Sequence, residues 1–246
     1  MPPPPSNAPR PLEDPLVSIV VPAYNEAATV EEVVRQLEGL ALRTEILVVD
    51  DGSQDDTAEI LRRLAAELPH VRPLVQPVNR GKGAAVRVGI AASAGDIVVI
   101  QDADLEYSPV DLPRLLAPLL DGRADVVYGT RLRGGQPQRA HLFWHYLGNR
   151  SLSLITGVLF NTTISDMEVG YKAFRGDLLR GLRLVSDDFR FEPEVTAKTL
   201  RTPGVRLYEV PISYYGRTFA EGKKITWRDG ILALGALLRF RFERRR

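Results

Sequence analysis

Asp102 and Asp104 stand one residue apart where the apolar run Ile97-Val98-Val99-Ile100 stops, and Glu106 follows two residues later. Carboxylates are hard oxygen ligands. Two or three converging on a cleft suit Mg²⁺ or Mn²⁺, and Mg²⁺ usually shares its shell with waters and substrate phosphates. Alternate residues of an extended chain point the same way, so this spacing aims Asp102 and Asp104 at one point, joined by Glu106 if the chain stays extended. The plain alternative for so short a motif is a strand end carrying solvated acids. Position favours chemistry: the run is β-branched with no polar alternation, as in a central parallel strand buried on both faces. Ligands of open α/β sheets collect just beyond the carboxyl ends of such strands.

Other chemistry-bearing residues fall at equivalent places. Asp50-Asp51-Gly52-Ser53 follows the apolar run Ile46 to Val49, and Thr130-Arg131 follows the run Asp125 to Gly129. Asn79-Arg80-Gly81-Lys82-Gly83 opens an alanine-rich segment, where cations and backbone N–H groups at a helix start can meet phosphate. It lacks a full phosphate-loop or dinucleotide fingerprint. Arg217 and Lys223 lie in Tyr214 to Lys224, where glycine, aromatics and cations alternate as in a mobile binding loop. Arginine forks match phosphate geometry, so Arg131, Arg217 and Lys223 are candidates to grip donor or acceptor phosphates.

The elements that must position these residues alternate regularly. Val17 to Val21 reads as a first strand ended by Pro22. Val30, Val33, Val34, Leu37 and Leu40 then make one apolar helix stripe, with Thr29 and Glu32 at capping-box spacing. A second strand ends at Asp50, and Asp55 or Asp56 can cap the next helix, whose stripe is Ile60, Leu61, Leu64 and Leu68. Val71 to Val75, a helix to about Ala92, the Ile97 strand, a helix with Leu112, Leu115, Leu116 and Leu119 inward, and the Asp125 strand complete the series. This is the α/β pattern of a mostly parallel, doubly wound sheet. The expected organisation is a leader over 1–15, a domain over 16–230 with halves 16–131 and 132–230, and an amphipathic basic segment over 231–246. In the second half, a helix from about His141 to Phe160, a turn entering a strand over Asp166 to Arg175, a helix over Phe191 to Leu200 and a strand over Val205 to Ser213 are expected. Pro211 marks that last strand as an edge or an irregular end.

Composition narrows the classes. At 246 residues the chain can bury a substantial core, and a net charge of +1 gives no global reason to expect nucleic acid as a partner. The absence of cysteine excludes disulfides, thiolate metal sites and cysteine nucleophiles, and suits a cytoplasmic setting. No apolar run reaches the ~18 residues of a membrane span. The proline-rich start has neither the basic nor the apolar region of a signal peptide, and is expected to be an extended leader.

Taken together, Val20-Val21-Pro22-Ala23-Tyr24-Asn25-Glu26, Val49-Asp50-Asp51-Gly52-Ser53, Asn79-Arg80-Gly81-Lys82-Gly83, Asp102-Ala103-Asp104-Leu105-Glu106, Gly129-Thr130-Arg131 and Val210-Pro211-Ile212-Ser213 resemble the family 2 glycosyltransferases, in their order and spacing. Within that family they are most similar to the polyprenyl-phosphate (dolichol-phosphate) mannosyl- and glucosyltransferases. The resemblance implies a nucleotide-diphospho-sugar transferase (GT-A) fold and inverting transfer of a hexose from a GDP- or UDP-sugar, with Mg²⁺ or Mn²⁺ as cofactor. It assigns Pro22, Tyr24, Glu26, Val49, Asp51, Lys82, Asp102, Ala103, Asp104, Arg131, Arg217 and Lys223 to the nucleotide sugar, and Asp102, Asp104 and Glu106 to the metal. Read from chemistry alone, Glu26 is also an ordinary helix N-terminal acid, Asp51 an Asx turn former beside Gly52, and Asp50 an alternative base reader. Glu106 stands where the subgroup often carries glutamine.

The acceptor implied by the resemblance is polyprenyl phosphate, whose ionised oxygen attacks without a protein base. A hydroxyl acceptor, on a glycan or small molecule, needs a general base. Asp166 in Ser165-Asp166-Met167-Glu168 is then the candidate, and His145 the second. Asp104, Arg131 and Asp166 are thus the expected catalytic residues. The subgroup's acceptor-phosphate arginine and serine register near His145 and Asn149, with Arg150 as substitute, so Arg131, His145, Asn149 and Arg150 are the expected acceptor contacts. Ile231, Leu232, Leu234, Leu237 and Leu238 followed by Arg239-Phe240-Arg241-Phe242 suit peripheral, salt-sensitive contact with an anionic membrane face. A non-catalytic nucleotide-sugar-binding protein is the remaining alternative.

Overall fold

The structure, a computed structural model, describes residues 11–139, 142–216 and 227–243. One seven-stranded sheet runs through it: β1 (Val17–Ala23), β2 (Thr44–Asp50), β3 (Val71–Val75), β4 (Ile97–Ile100), β5 (Val126–Thr130), β6 (Lys172–Arg175) and β7 (Leu207–Pro211), in the order β3-β2-β1-β4-β6-β5-β7. β3, β2, β1 and β4 pair with one another in parallel, as β5 does with β7, whereas β6 is antiparallel to both β4 and β5. The helices are α1 (Val30–Glu38), α2 (Thr57–Glu67), α3 (Lys82–Ala92), α4 (Leu112–Leu120), α5 (Phe143–Phe160), α6 (Gly176–Gly181), α7 (Phe191–Leu200) and α8 (Trp227–Phe242).

The strands that read as fully apolar are the fully buried ones. All four residues of β4 and the run Ile46 to Val49 of β2 are inaccessible, so helices cover both faces there. The chain builds outward from β1 to β2 and β3, then returns to β4 on the other side of β1. The carboxyl ends of β1 and β4 therefore flank the point where the strand order reverses, the usual ligand crevice of an open α/β sheet.

Two local expectations are corrected, and the sheet edge expected from Pro211 is found. β1 does not end at Pro22. It continues to Ala23, because β4 pairs only as far as Val20 and no neighbour on that side asks Pro22 for an N–H. Pro73 and Pro211 lie in β3 and β7, the two edge strands. No side-chain bond caps α1: Thr29 Oγ1 instead donates to Glu26 Oε2 at 3.0 Å, so the capping box is absent. β6 lies between β4 and β5, so a strand from the second half joins strands of the first in one sheet. Of the expected leader, residues 11–15 are described; Leu12 donates its N–H to the Leu120 carbonyl at 3.0 Å and packs on the core.

α8 docks through Ala236 and Phe240 against Ala197 of α7 and Phe160 of α5. Its other face leaves Ile231, Leu232, Leu238 and Phe242 exposed. Along α5, Phe143, Trp144, Leu147, Leu154 and Val158 form a second exposed apolar stripe. Among the described residues, no helix is long and apolar enough to cross a membrane.

Candidate active site

The carboxyl ends of β1, β2 and β4 open into a cleft of about 400 Å³. Pro22, Ala23, Tyr24 and Glu26 line it from β1, Asp51 from β2, Lys82 from the start of α3, and Asp102, Ala103, Asp104 and Glu106 from the end of β4. The opposite wall is Arg131 beyond β5, His145 and Asn149 on α5, Glu168 and Gly170 before β6, Glu192 on α7, and Tyr214 beyond β7.

The acids do not converge by strand alternation. After β4 the chain turns, with Leu105 in the left-handed region (φ 58) and the Glu106 N–H bonded to Asp104 Oδ1 at 3.2 Å. The turn is tied to the segment after β7: the Tyr214 hydroxyl donates to Glu106 Oε2 at 2.9 Å and the Tyr215 N–H to the Glu106 carbonyl at 3.0 Å. Asp102 faces Gly170, where an added Cβ would collide with Asp102 Oδ2 and lie 3.0 Å from the Tyr107 ring. Glycine at that position is what leaves room for the carboxylate.

Asp51 organises the loop from Asn79 to Gly83. Its carboxylate accepts from Gln76 Nε2 (2.7 Å), the Arg80 N–H (2.9 Å) and the Gly81 N–H (2.7 Å). A carboxylate has about four acceptor positions, so one remains for a ligand donor. Gly81 (φ +101) and Gly83 press against the backbone of residues 186–188, and any Cβ there would clash with those carbonyls. That packing fixes the Cα of Lys82. Its ammonium lies 2.7 Å from Asp102 Oδ1 and 3.4 Å from Glu192 Oε1, and these two acids hold Lys82 protonated against the opposing effect of burial.

Across the cleft, Arg131 and Asp166 form a buried forked pair. Nε donates to Oδ2 and Nη2 to Oδ1, both at 2.7 Å, and the Arg131 N–H donates to Oδ2 at 2.9 Å. Burial alone would raise the Asp166 pKa, but the guanidinium charge and these bonds hold it below the usual carboxylate range. The guanidinium lies 5.1 Å over the Tyr214 ring, and Tyr107 stacks on Tyr171 at 5.4 Å and meets Tyr214 at a tilt, 5.5 Å away. Deeper in, the buried Lys172 ammonium is bonded to Glu192 Oε2 and the Val169 carbonyl. Glu168 Oε1 and Glu192 Oε1 are sealed from water and accept no hydrogen bond; the latter has the Lys82 ammonium 3.4 Å away. Burial, with the Glu192 charge nearby, pushes the Glu168 pKa up to about 7.

Whether these residues suit a divalent ion can be judged from the donor set. Among the described residues no three His, Cys, Asp or Glu side chains gather into a ready-made metal cage. What the cleft offers is Asp102 and Asp104, with Glu106 engaged by Tyr214. One or two carboxylates completed by substrate phosphates and water is the usual Mg²⁺ arrangement, so the residues fit an ion that arrives with a diphosphate.

A family model described as Glycosyl transferase family 2 matches residues 18–182. The chain belongs to that family. Undecaprenyl-phosphate mannosyltransferase of Micrococcus luteus is 32% identical over 84% of this chain and 86% of its own. Dolichol-phosphate mannosyltransferase of Pyrococcus furiosus is 28% identical over 84% of this chain, which spans 58% of that longer protein. In architecture the chain is similar to glucosyl-3-phosphoglycerate synthase of Mycobacterium tuberculosis. The form with Mn²⁺, UDP-glucose and phosphoglyceric acid matches with a TM-score of 0.72 at 24% identity, covering 92% of this chain and 80% of that one. The form of that enzyme with Mg²⁺ and UDP matches with a TM-score of 0.69 at 26% identity, covering 92% and 79%. The fold is therefore the GT-A type, and the protein is a glycosyltransferase.

In this glycosyltransferase three expected site residues are placed differently. Val49 is fully buried inside β2 and does not reach the cleft; Ala23, Tyr24 and Asp51 do. Arg150 projects away from it: His145 and Asn149, four residues apart, share the cleft face of α5, and Arg150, one position further round, bonds the Tyr146 hydroxyl at 2.9 Å. Asp166 is enclosed behind the cleft wall, and its carboxylate is bonded to Arg131 rather than facing the open cleft. Arg217 and Lys223 lie outside the described residues. Sequence reasoning misses Glu168, Gly170, Glu192 and Tyr107. Glu192 reads as a helix N-terminal acid, but a lysine inside a strand, Lys172, is a sign that a buried partner must exist.

Proposed function

We propose that this glycosyltransferase moves a hexose, mannose or glucose, from a GDP- or UDP-sugar to polyprenyl phosphate with inversion at the anomeric carbon. The observation that carries the reading is one cleft with the acid pair Asp102 and Asp104 on one wall and the anchored cation Arg131 on the other, at the reversal point of the sheet. The polyprenyl-phosphate relatives support the acceptor.

In this reading the nucleoside sits between Tyr24, Glu26 and the remaining acceptor position of Asp51. Asp102 and Asp104 hold Mg²⁺ or Mn²⁺, with Glu106 within the same turn. The ion, when bound, offsets charge on the departing diphosphate. An ionised oxygen of the acceptor phosphate attacks the anomeric carbon, the bond from that carbon to the diphosphate breaks, and the nucleoside diphosphate leaves with the electron pair. No proton is transferred, so no protein base is required. Arg131, held rigid by Asp166 and the Tyr107–Tyr214 pair, attracts and orients a phosphate. The exposed apolar stripes of α5 and α8, flanked by Arg239 and Arg241, suit peripheral contact with an anionic membrane face; α5 also carries His145 and Asn149 into the cleft.

Glu168 favours one second reading, transfer to a hydroxyl on a glycan or small molecule, since a carboxyl poised near neutrality at the cleft is suited to general-base work. Incubating the protein with radiolabelled GDP-mannose or UDP-glucose, Mn²⁺ and polyprenyl phosphate tests the main reading. Metal-dependent lipid labelling that Asp104→Ala abolishes and Glu168→Gln leaves in place is the expected result. No turnover of any nucleotide sugar would refute it, and transfer to hydroxyls that Glu168→Gln alone abolishes would select the second.

A further inference from the structure

The cleft contains a cation where a metal would be expected. The Lys82 ammonium spans both oxygens of Asp102, at 2.7 and 3.0 Å, with Glu192 Oε1 behind it at 3.4 Å. A divalent ion cannot use that carboxylate edge while the ammonium holds it, because the two like charges would sit almost in contact in a largely enclosed site. The backbone around Lys82 is immobilised by Gly81 and Gly83 against residues 186–188, so any exchange is a swing of the side chain alone. The destination is close, since Lys82 is the first residue of α3 and an anion at that helix start would lie in the same cleft. Departure of the ammonium does not strand Glu192, which keeps Lys172 on Oε2. Asp102, by contrast, would be left without its cation unless another replaced it.

We propose that Lys82 is a resident counter-cation: it neutralises Asp102 in the ligand-free enzyme and passes to the donor diphosphate when a divalent ion takes the carboxylate. Metal and nucleoside diphosphate then bind as a coupled pair. The inference rests on the nucleotide-sugar reading above.

The test is Mn²⁺ binding to the full chain, followed by the Mn²⁺ electron paramagnetic resonance signal and by calorimetry, alone and with saturating GDP or UDP. Wild-type protein is expected to bind Mn²⁺ alone at least about tenfold more weakly than with the nucleotide, within the usual range of coupling between two ligands. Lys82→Gln should tighten binding of Mn²⁺ alone by about the same factor and remove most of the nucleotide enhancement, whereas Lys82→Arg, which keeps the charge, should behave as wild type. Equal affinity for Mn²⁺ alone in Lys82→Gln and wild type would overturn the inference. So would a wild type that binds Mn²⁺ as tightly without nucleotide as with it, a comparison that needs no variant to fold. If neither nucleotide binds under any condition, the donor reading itself falls, and this inference with it.

Discussion

Glu168→Gln should make the protein more stable, and increasingly so as pH rises. Burial and the Glu192 charge lift the Glu168 carboxyl from its ordinary 4.5 to about 7 in the folded protein. Between those values the unfolded chain has released this proton and the folded chain has not. The carboxyl's contribution is therefore fully present below about pH 4.5 and is lost as pH rises toward 7. Each unit of that window is worth about 1.36 kcal/mol, so moving from about pH 5.5 to 8 removes about 2 kcal/mol from wild type through this one group. Glutamine has the same shape and no proton to lose. Urea unfolding of both proteins at the two pH values isolates the effect, since every other group titrates in both. The expected result is a stability gap that shifts by about 2 kcal/mol in favour of the Glu168→Gln variant at the higher pH, or about 4–8 °C in Tm for a chain of this size. A gap unchanged between the two pH values would show that Glu168 is solvated or paired in the folded state, and would refute the reasoning.

Other perturbations follow from the same geometry. Asp166→Asn leaves the buried Arg131 guanidinium without its counter-charge, a loss of about 3–5 kcal/mol for a broken buried pair; chemical denaturation should show it, and a variant of unchanged stability but abolished transfer would restore Asp166 as a base. Gly170→Ala should push Asp102 out of position and cost about 10²-fold in transfer, as small misplacements at reacting centres do. Its nucleotide-only binding should be retained, and normal turnover would disprove the close fit. Replacing exposed Phe143 and Trp144 by serine should weaken sedimentation with anionic vesicles by about tenfold or more, given about 1.5–3 kcal/mol per large apolar side chain buried. Fold, read by circular dichroism, should be unaffected.

Much of the architecture is legible in the sequence because hydrophobic period is a local property. β4 and the Ile46 to Val49 run of β2 stand out as unbroken apolar runs, and the acids at their ends follow from where such strands stop. β6 cannot be placed that way. Its four residues, Lys172-Ala173-Phe174-Arg175, form no apolar run, and nothing local says that it enters the sheet antiparallel between β4 and β5. That insertion determines what faces the acid pair, since it brings the segment from Asp166 to Gly170 to the cleft. Asp166 reads as a base in the sequence because its partner Arg131 lies 35 residues away. Likewise, the helix phase that turns His145 and Asn149 inward and Arg150 outward depends on how α5 packs, which periodicity alone leaves open.

The common cause is charge compensation at a distance. A cleft lined with several carboxylates must be stable in the ligand-free chain, and an isolated buried carboxylate is costly. Each of several acids is therefore matched by a group from a remote segment: Asp102 by Lys82, Glu106 by the Tyr214 hydroxyl, and Glu192 by Lys172. Glu168, like Glu192, keeps a buried oxygen that accepts no hydrogen bond, and burial with the Glu192 charge nearby raises its pKa to about 7.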